Sequence, residues 1–249
     1  MIATIRSEWI KLRTVRSNLV MAAAAVILPV AITLLSVSFM KTGNIDSETL
    51  STFITNTGSL AVLLVGVVGV LCVTQEYSQG TIRLTLAATP GRTRVYVAKA
   101  VVAALFGAAL IGLVIALTIG VGSAILEARD VPGPHTVSTS GVSFAAMIVM
   151  GALVAVLGMG IGGLTRNPPG AITTLILWPL LVEGIVGGLL SMAMDEDVRK
   201  WMPFQSGFNA MFLEPPQHAF DRWTAIGYFA AWTVAVSVLA ERSLSRRDA

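Results

Sequence analysis

The sequence predicts an all-α integral membrane protein of six transmembrane helices with both termini in the cytoplasm. Three observations carry this prediction. Hydrophobic residues make up 55% of the 249 residues and charged residues only 12%, about half the roughly 25% of a soluble domain. Several apolar runs approach or exceed the roughly 18 residues that a bilayer span requires. None of these runs alternates with a period of two, so helices rather than a barrel are the spanning elements.

The length suits one transmembrane domain over residues 1–249. The spans are placed at Leu19–Met40, Gly58–Thr74, Ala100–Leu126, Val142–Leu164, Ala171–Met192 and Trp223–Leu239. Polar breaks separate them: Lys41–Thr57, Glu127–Gly141 with Pro132-Gly133-Pro134, and the short turn Arg166-Asn167-Pro168-Pro169. The longest connection joins spans five and six. The first run follows four basic residues but is too long for a leader h-region and ends in no A-x-A-like site, so it reads as a retained helix.

Charge sets the orientation. With the N-terminus inside, 12 basic residues face the cytoplasm and 5 face out, accounting for all 17. This asymmetry follows the positive-inside rule. Ahead of the first span, Ile2, Ile5, Trp9 and Leu12 recur at spacings of three and four, with Arg6, Glu8 and Arg13 on other faces. That pattern predicts an amphipathic helix in the inner interface. A basic topology anchor with an interfacial Trp is the plainer reading.

Sites for chemistry are scarce. None of the four lysines (Lys11, Lys41, Lys99, Lys200) follows a glycine, so a P-loop is excluded. His135 and His218 lie in separate outer loops, and Cys72 is the only cysteine, so no zinc spacing exists. Gly158-Met159-Gly160-Ile161-Gly162-Gly163 lies inside a span, without the strand–turn–helix setting of a nucleotide loop. Gly158 with Gly162, and Gly184 with Gly188, have the small-xxx-small spacing of close helix packing.

Two features stand out. The connection between spans two and three runs from Glu76 to Lys99. Gly80 and Pro90-Gly91 punctuate it, and Thr81–Ala88 can form a short helix with Thr81 as N-cap. Arg92, Arg94 and Lys99 suit headgroups. A plain topogenic loop has the same composition. Glu183 lies near the middle of span five, where a charge costs roughly 2.5–3.5 kcal/mol on insertion scales. It is either a proton or substrate contact, or a structural group adapted to the kink that Pro179 introduces by freeing a carbonyl four residues earlier.

The pattern Glu76-Tyr77-x-x-Gly80-Thr81-Ile82-Arg83-x-Thr85-Leu86, followed by Pro90-x-Arg92 and Ala98-Lys99, resembles the permease subunits of type-2 exporters in the ATP-binding cassette superfamily. Ser7-Glu8-Trp9-Ile10-Lys11-Leu12-Arg13-Thr14 is similar to the start of many such permeases from actinobacteria, and Trp201-Met202-Pro203-Phe204 resembles the outer hairpin before their last helix. The resemblance implies a coupling helix over Gly80–Ala88 that docks on a separate ATPase, with Glu76, Gly80, Thr81, Arg83 and Leu86 as the coupling residues. It implies an elbow helix over residues 2–16 and a re-entrant outer hairpin between spans five and six. The partners it implies are an ATP-binding cassette ATPase, a second permease copy or paralogue, and membrane lipid, with no nucleic acid and no cofactor. The chain itself is then not an enzyme but half of an export pathway in the bacterial plasma membrane. An ion-coupled secondary transporter using Glu183 and a membrane immunity or sensor protein are the competing classes.

Overall fold

The computed structural model describes residues 2–45, 48–82, 91–131, 140–194 and 197–247. Among them there are helices and turns and no strand. Helix α1 spans Ile2–Thr14 and α2 Arg16–Phe39, with the single extended residue Val15 between them. Helix α3 spans Thr49–Ser78, α4 Arg92–Ala128 and α5 Gly141–Thr165. The fifth span is composite: α6 (Pro168–Leu177), a π-type turn at Trp178–Val182, and α7 (Glu183–Met194). A 3-10 turn at Val198–Trp201 leads to the short α8 (Pro203–Asn209), and α9 covers Arg222–Arg247. Six segments are long and apolar enough to cross a membrane: α2, α3, α4, α5, the composite span Pro168–Met194, and α9. The protein is an all-α integral membrane protein, as its composition requires.

Three helices run well past the expected spans; α9 continues from Leu239 to Arg247. Helix α3 begins at Thr49 rather than Gly58. Thr49–Thr57, the second half of the expected break Lys41–Thr57, is therefore helical. In the helix Thr57 turns its hydroxyl back to the Phe53 carbonyl at 2.9 Å and meets Thr33 of α2 at 2.9 Å, while Leu50 and Ile54 are buried. Hydroxyls satisfied in this way do not break a helix that has a buried face. Helix α4 begins at Arg92 rather than Ala100 and has 37 residues, a length of about 55 Å at 1.5 Å per residue. Its first turns bury Val95, Tyr96, Ala98 and Lys99, one stripe at helical spacing.

The bundle is built on α3, which packs most closely against α5. A Cβ placed on Gly69 would lie 2.0 Å from the Ala155 carbonyl oxygen, and one on Gly158 would lie 2.2 Å from that of Gly66. Gly162 also faces α3, at 3.0 Å from the Val70 oxygen. Backbones approach this closely only where side chains are absent, so Gly158 and Gly162 are packing residues. Gly184 and Gly188 have the same spacing, but among the described residues no other element comes within 4 Å of a Cβ placed on either. Their face of the fifth span stays open, along with Leu181, Ile185 and Leu189.

The ends of the bundle are tied by arginines. At one end Arg129 donates to the Val37 and Met40 carbonyls, and Arg222 donates to Ser143 Oγ and to the Phe212 and Leu213 carbonyls. At the other end Arg92 donates to Leu244 O at 3.2 Å and Arg166 to Ser243 O at 3.2 Å. Arg166 itself stands at a positive φ of 55° after α5 and stacks 4.9 Å from the Tyr77 ring centroid. This second end gathers α1, the close of α3, the start of α4 and the close of α9.

Candidate functional site

The site grows from the last turn of α3. Gln79 ends the helix, and Gly80 follows at φ 68°, in the left-handed region that favours glycine. Glu76, one turn earlier, is buried. Its Oε1 accepts from Lys99 Nζ of α4 at 2.8 Å and from Lys11 Nζ of α1 at 2.8 Å. Glu8 closes the figure: its Oε2 accepts from Lys99 Nζ at 2.5 Å and its Oε1 from Lys11 Nζ at 2.9 Å. Two carboxylates and two ammonium groups form a ring of four contacts among three helices. The side chains of Glu8 and Lys99 are each 4% exposed, whereas that of Lys11 is 37% exposed and faces the rim. Buried charges persist when each has opposite partners in hydrogen-bonding geometry, as here. Glu76 Oε2 is buried and has no partner among the described residues.

The local sequence explains how the ring is reached. Glu8 lies one turn before Leu12, and both are buried on α1. The buried face of α1 therefore carries Glu8 with Leu12, while Ile2 is 85% exposed. Of the expected apolar face, Leu12 and Ile5 pack against the core, while Trp9 and Ile2 are exposed. Trp9 packs edge-on against Phe106 of α4 at 5.8 Å. Lys99, expected among lipid headgroups, turns inward because the helix starts a full two turns earlier than the apolar run; Arg94 stays exposed. Beside the ring opens a cleft of about 240 Å3 whose wall includes Asn18, Cys72, Gln75 and Gln79. Gln75 crosses it to Ser17 Oγ at 2.7 Å and Asn18 Oδ1 at 3.1 Å.

Of the five coupling residues expected from the sequence, Glu76 is in the ring, Gly80 turns the chain, and Thr81 Oγ1 lies 3.5 Å from the Glu76 carbonyl oxygen. Arg83 and Leu86, and with them most of the expected Gly80–Ala88 helix, lie outside the described residues. The sequence reading missed Glu8, Lys11 and Lys99 as partners of Glu76. The available signal was two acidic and two basic side chains, each near an end of an apolar run, whose charges cancel.

Glu183 is elsewhere. It is 2% exposed, and its carboxylate accepts from the backbone N–H of Phe204 at 3.1 Å and of Gln205 at 2.9 Å. These are the first free amides of α8, so Glu183 caps that helix from outside it. Glu183 precedes the end of α7 by 11 residues, or about 16 Å of helix. The chain after Met194 therefore folds back along the fifth span before α8 begins. The π-type turn falls on Pro179, where the missing N–H was expected to disturb the helix. Tyr228 of α9 donates to the Trp201 carbonyl at 2.8 Å, and Trp201, Phe220 and Tyr228 pack edge to face around the fold-back. Among the described residues no three His, Cys, Asp or Glu side chains gather as metal ligands.

The stretch from α1 to the end of α6, which supplies the whole ring and both ends of the connection, is also what known proteins share. A family model described as ABC-2 family transporter protein matches residues 4–177. The chain belongs to that family. A comparison with curated proteins gave no match. Membership makes the chain a transporter permease, a class that works in general with an ATPase subunit. The match stops at Leu177, so Glu183 and the fold-back that it caps lie beyond the shared part.

Proposed function

We propose that this ABC-2 permease forms the substrate pathway of an exporter and couples to a separate ATPase through the connection between α3 and α4. The observation that supports this reading most is the ring at the root of that connection. Glu76 and Lys99 hold its two ends at one place and tie both to α1. A displacement imposed there reaches three helices at once. By the positive-inside rule this end of the bundle is cytoplasmic, which is where an ATPase would be met. Residues 81–88 are the coupling helix in this reading, with Arg83 and Leu86 toward the partner, and α1 lies along the inner leaflet as an elbow.

In this reading the membrane is the bacterial plasma membrane, the fold-back around α8 is a partly inserted outer hairpin, and the chain hydrolyses no ATP. One six-span chain is half of a pathway, so a second permease copy or paralogue completes it. The open face of the fifth span, with Leu181, Ile185 and Leu189 exposed, suits either that second copy or lipid. Glu183 is spent on backbone amides, which favours export driven by the ATPase over ion coupling through that carboxylate.

The test is co-expression with a candidate ATPase subunit. The expected result is a complex that hydrolyses ATP while the purified permease alone does not, with Arg83→Ala plus Leu86→Ala dissociating or uncoupling it. A transporting complex indifferent to those replacements contradicts the assignment.

A further inference from the structure

The ring is satisfied unevenly. Both lysines crowd on Oε1 of Glu76, at 2.8 Å each, while Oε2 of the same carboxylate is buried without a partner among the described residues. An unmet acceptor in a low-dielectric site raises the energy of the arrangement that contains it. Parting α1 from Glu76 and Lys99 relieves that crowding at the cost of ion contacts, so two packings compete at the ring. The chain is built to allow the step. Helix α1 joins α2 through one extended residue, Val15 at φ −77° and ψ 119°. Lys11 is already at the rim, and the cleft beside the ring gives α1 room.

We propose that Glu8, Lys11, Glu76 and Lys99 form a latch with a closed state, the one described, and an open state in which α1 pivots about Val15 and the cleft at Cys72 widens. Displacement of the end of α3 switches it, because Glu76 stands in the last turn of that helix. Lys99 and Glu8 are positioning residues in this scheme: they touch neither ATPase nor cargo and set where α1 sits. The trigger rests on the coupling reading given above; the latch itself does not.

Cys72 supplies the probe, since it is the only cysteine and lines the cleft. The measurement is its rate of reaction with N-ethylmaleimide in the full chain in detergent. Lys11→Ala, which removes a half-exposed partner, and Lys99→Met, which removes a buried one, are expected to speed labelling by about tenfold, as loss of a buried ion contact favours local opening. Arg222→Ala, which loosens the opposite end of the bundle, is the control for general destabilisation and is expected to leave the rate unchanged. Equal rates in the wild type and both lysine variants overturn the latch, as does equal acceleration by Arg222→Ala. In a complex with its ATPase, the wild-type rate is expected to differ between the nucleotide-free and vanadate-trapped states, and Lys99→Met to abolish the difference. A wild-type rate that ignores nucleotide in an assembled complex overturns the switching. If no ATPase subunit associates at all, the coupling reading fails while the variant rates in the isolated chain still decide the latch.

Discussion

Lys99 is 3% exposed and would be costly to bury alone, yet it is held by two carboxylates from residues 91 and 23 positions away. That separation is why the ring was not legible in the sequence. Each member reads locally as an ordinary flanking charge, and only the packing of α1 and α3 against α4 brings the four together. Glu183 was half legible. Its burial in a span and the disturbance at Pro179 followed from the sequence, but its partners include two backbone amides, which carry no residue signature. Its role makes a prediction. Glu183→Gln keeps one acceptor and leaves one amide of α8 unmet, and Glu183→Leu leaves two. A buried unmet donor costs about 1–3 kcal/mol. The thermal unfolding midpoint in detergent is expected to fall in the order wild type, Glu183→Gln, Glu183→Leu. An unchanged midpoint for Glu183→Leu contradicts the capping role.

At the scale of elements, apolar length located all six spans and misjudged three of their ends, the starts of α3 and α4 and the close of α9. Thr49–Thr57 and Arg92–Lys99 mix polar and apolar residues in sequence and are helical in the fold, because their side chains are satisfied by helices that the local sequence does not contain. Thr57 meets Thr33 of α2, and Thr93 donates to Glu241 of α9 at 2.7 Å. Glycine spacing was informative where two helices meet and silent where they do not. The pairs Gly158 with Gly162 and Gly184 with Gly188 look alike on paper; the first faces α3, and the second faces no other element within 4 Å among the described residues. A side chain at Gly69 would collide with the α5 backbone. Gly69→Val is therefore expected to destabilise by about 1–3 kcal/mol or more, the range for overpacking, while Gly184→Val leaves the unfolding midpoint of the isolated chain unchanged. Equal sensitivity of the two sites contradicts the packing described.

For the whole molecule, the composition excluded a soluble fold, and the charge asymmetry gave an expected orientation for the bundle. Family membership then followed from residues 4–177. The surface is consistent with a lipid solvent: Leu28, Leu105, Leu189 and Val234, on four different spans, are all exposed, which is costly in water and neutral in a bilayer. What neither composition nor spacing could supply is how the two ends of the connection are held. The ring answers that with four contacts; in the proposed coupling, force enters the bundle there. The most direct measurement of the central claim is cross-linking. In a Cys72→Ser background, a cysteine at Leu86 is expected to cross-link to the ATPase subunit in intact membranes, whereas a cysteine at His218 does not. Cross-linking from His218, or none from Leu86 in a complex that hydrolyses ATP, would contradict the account.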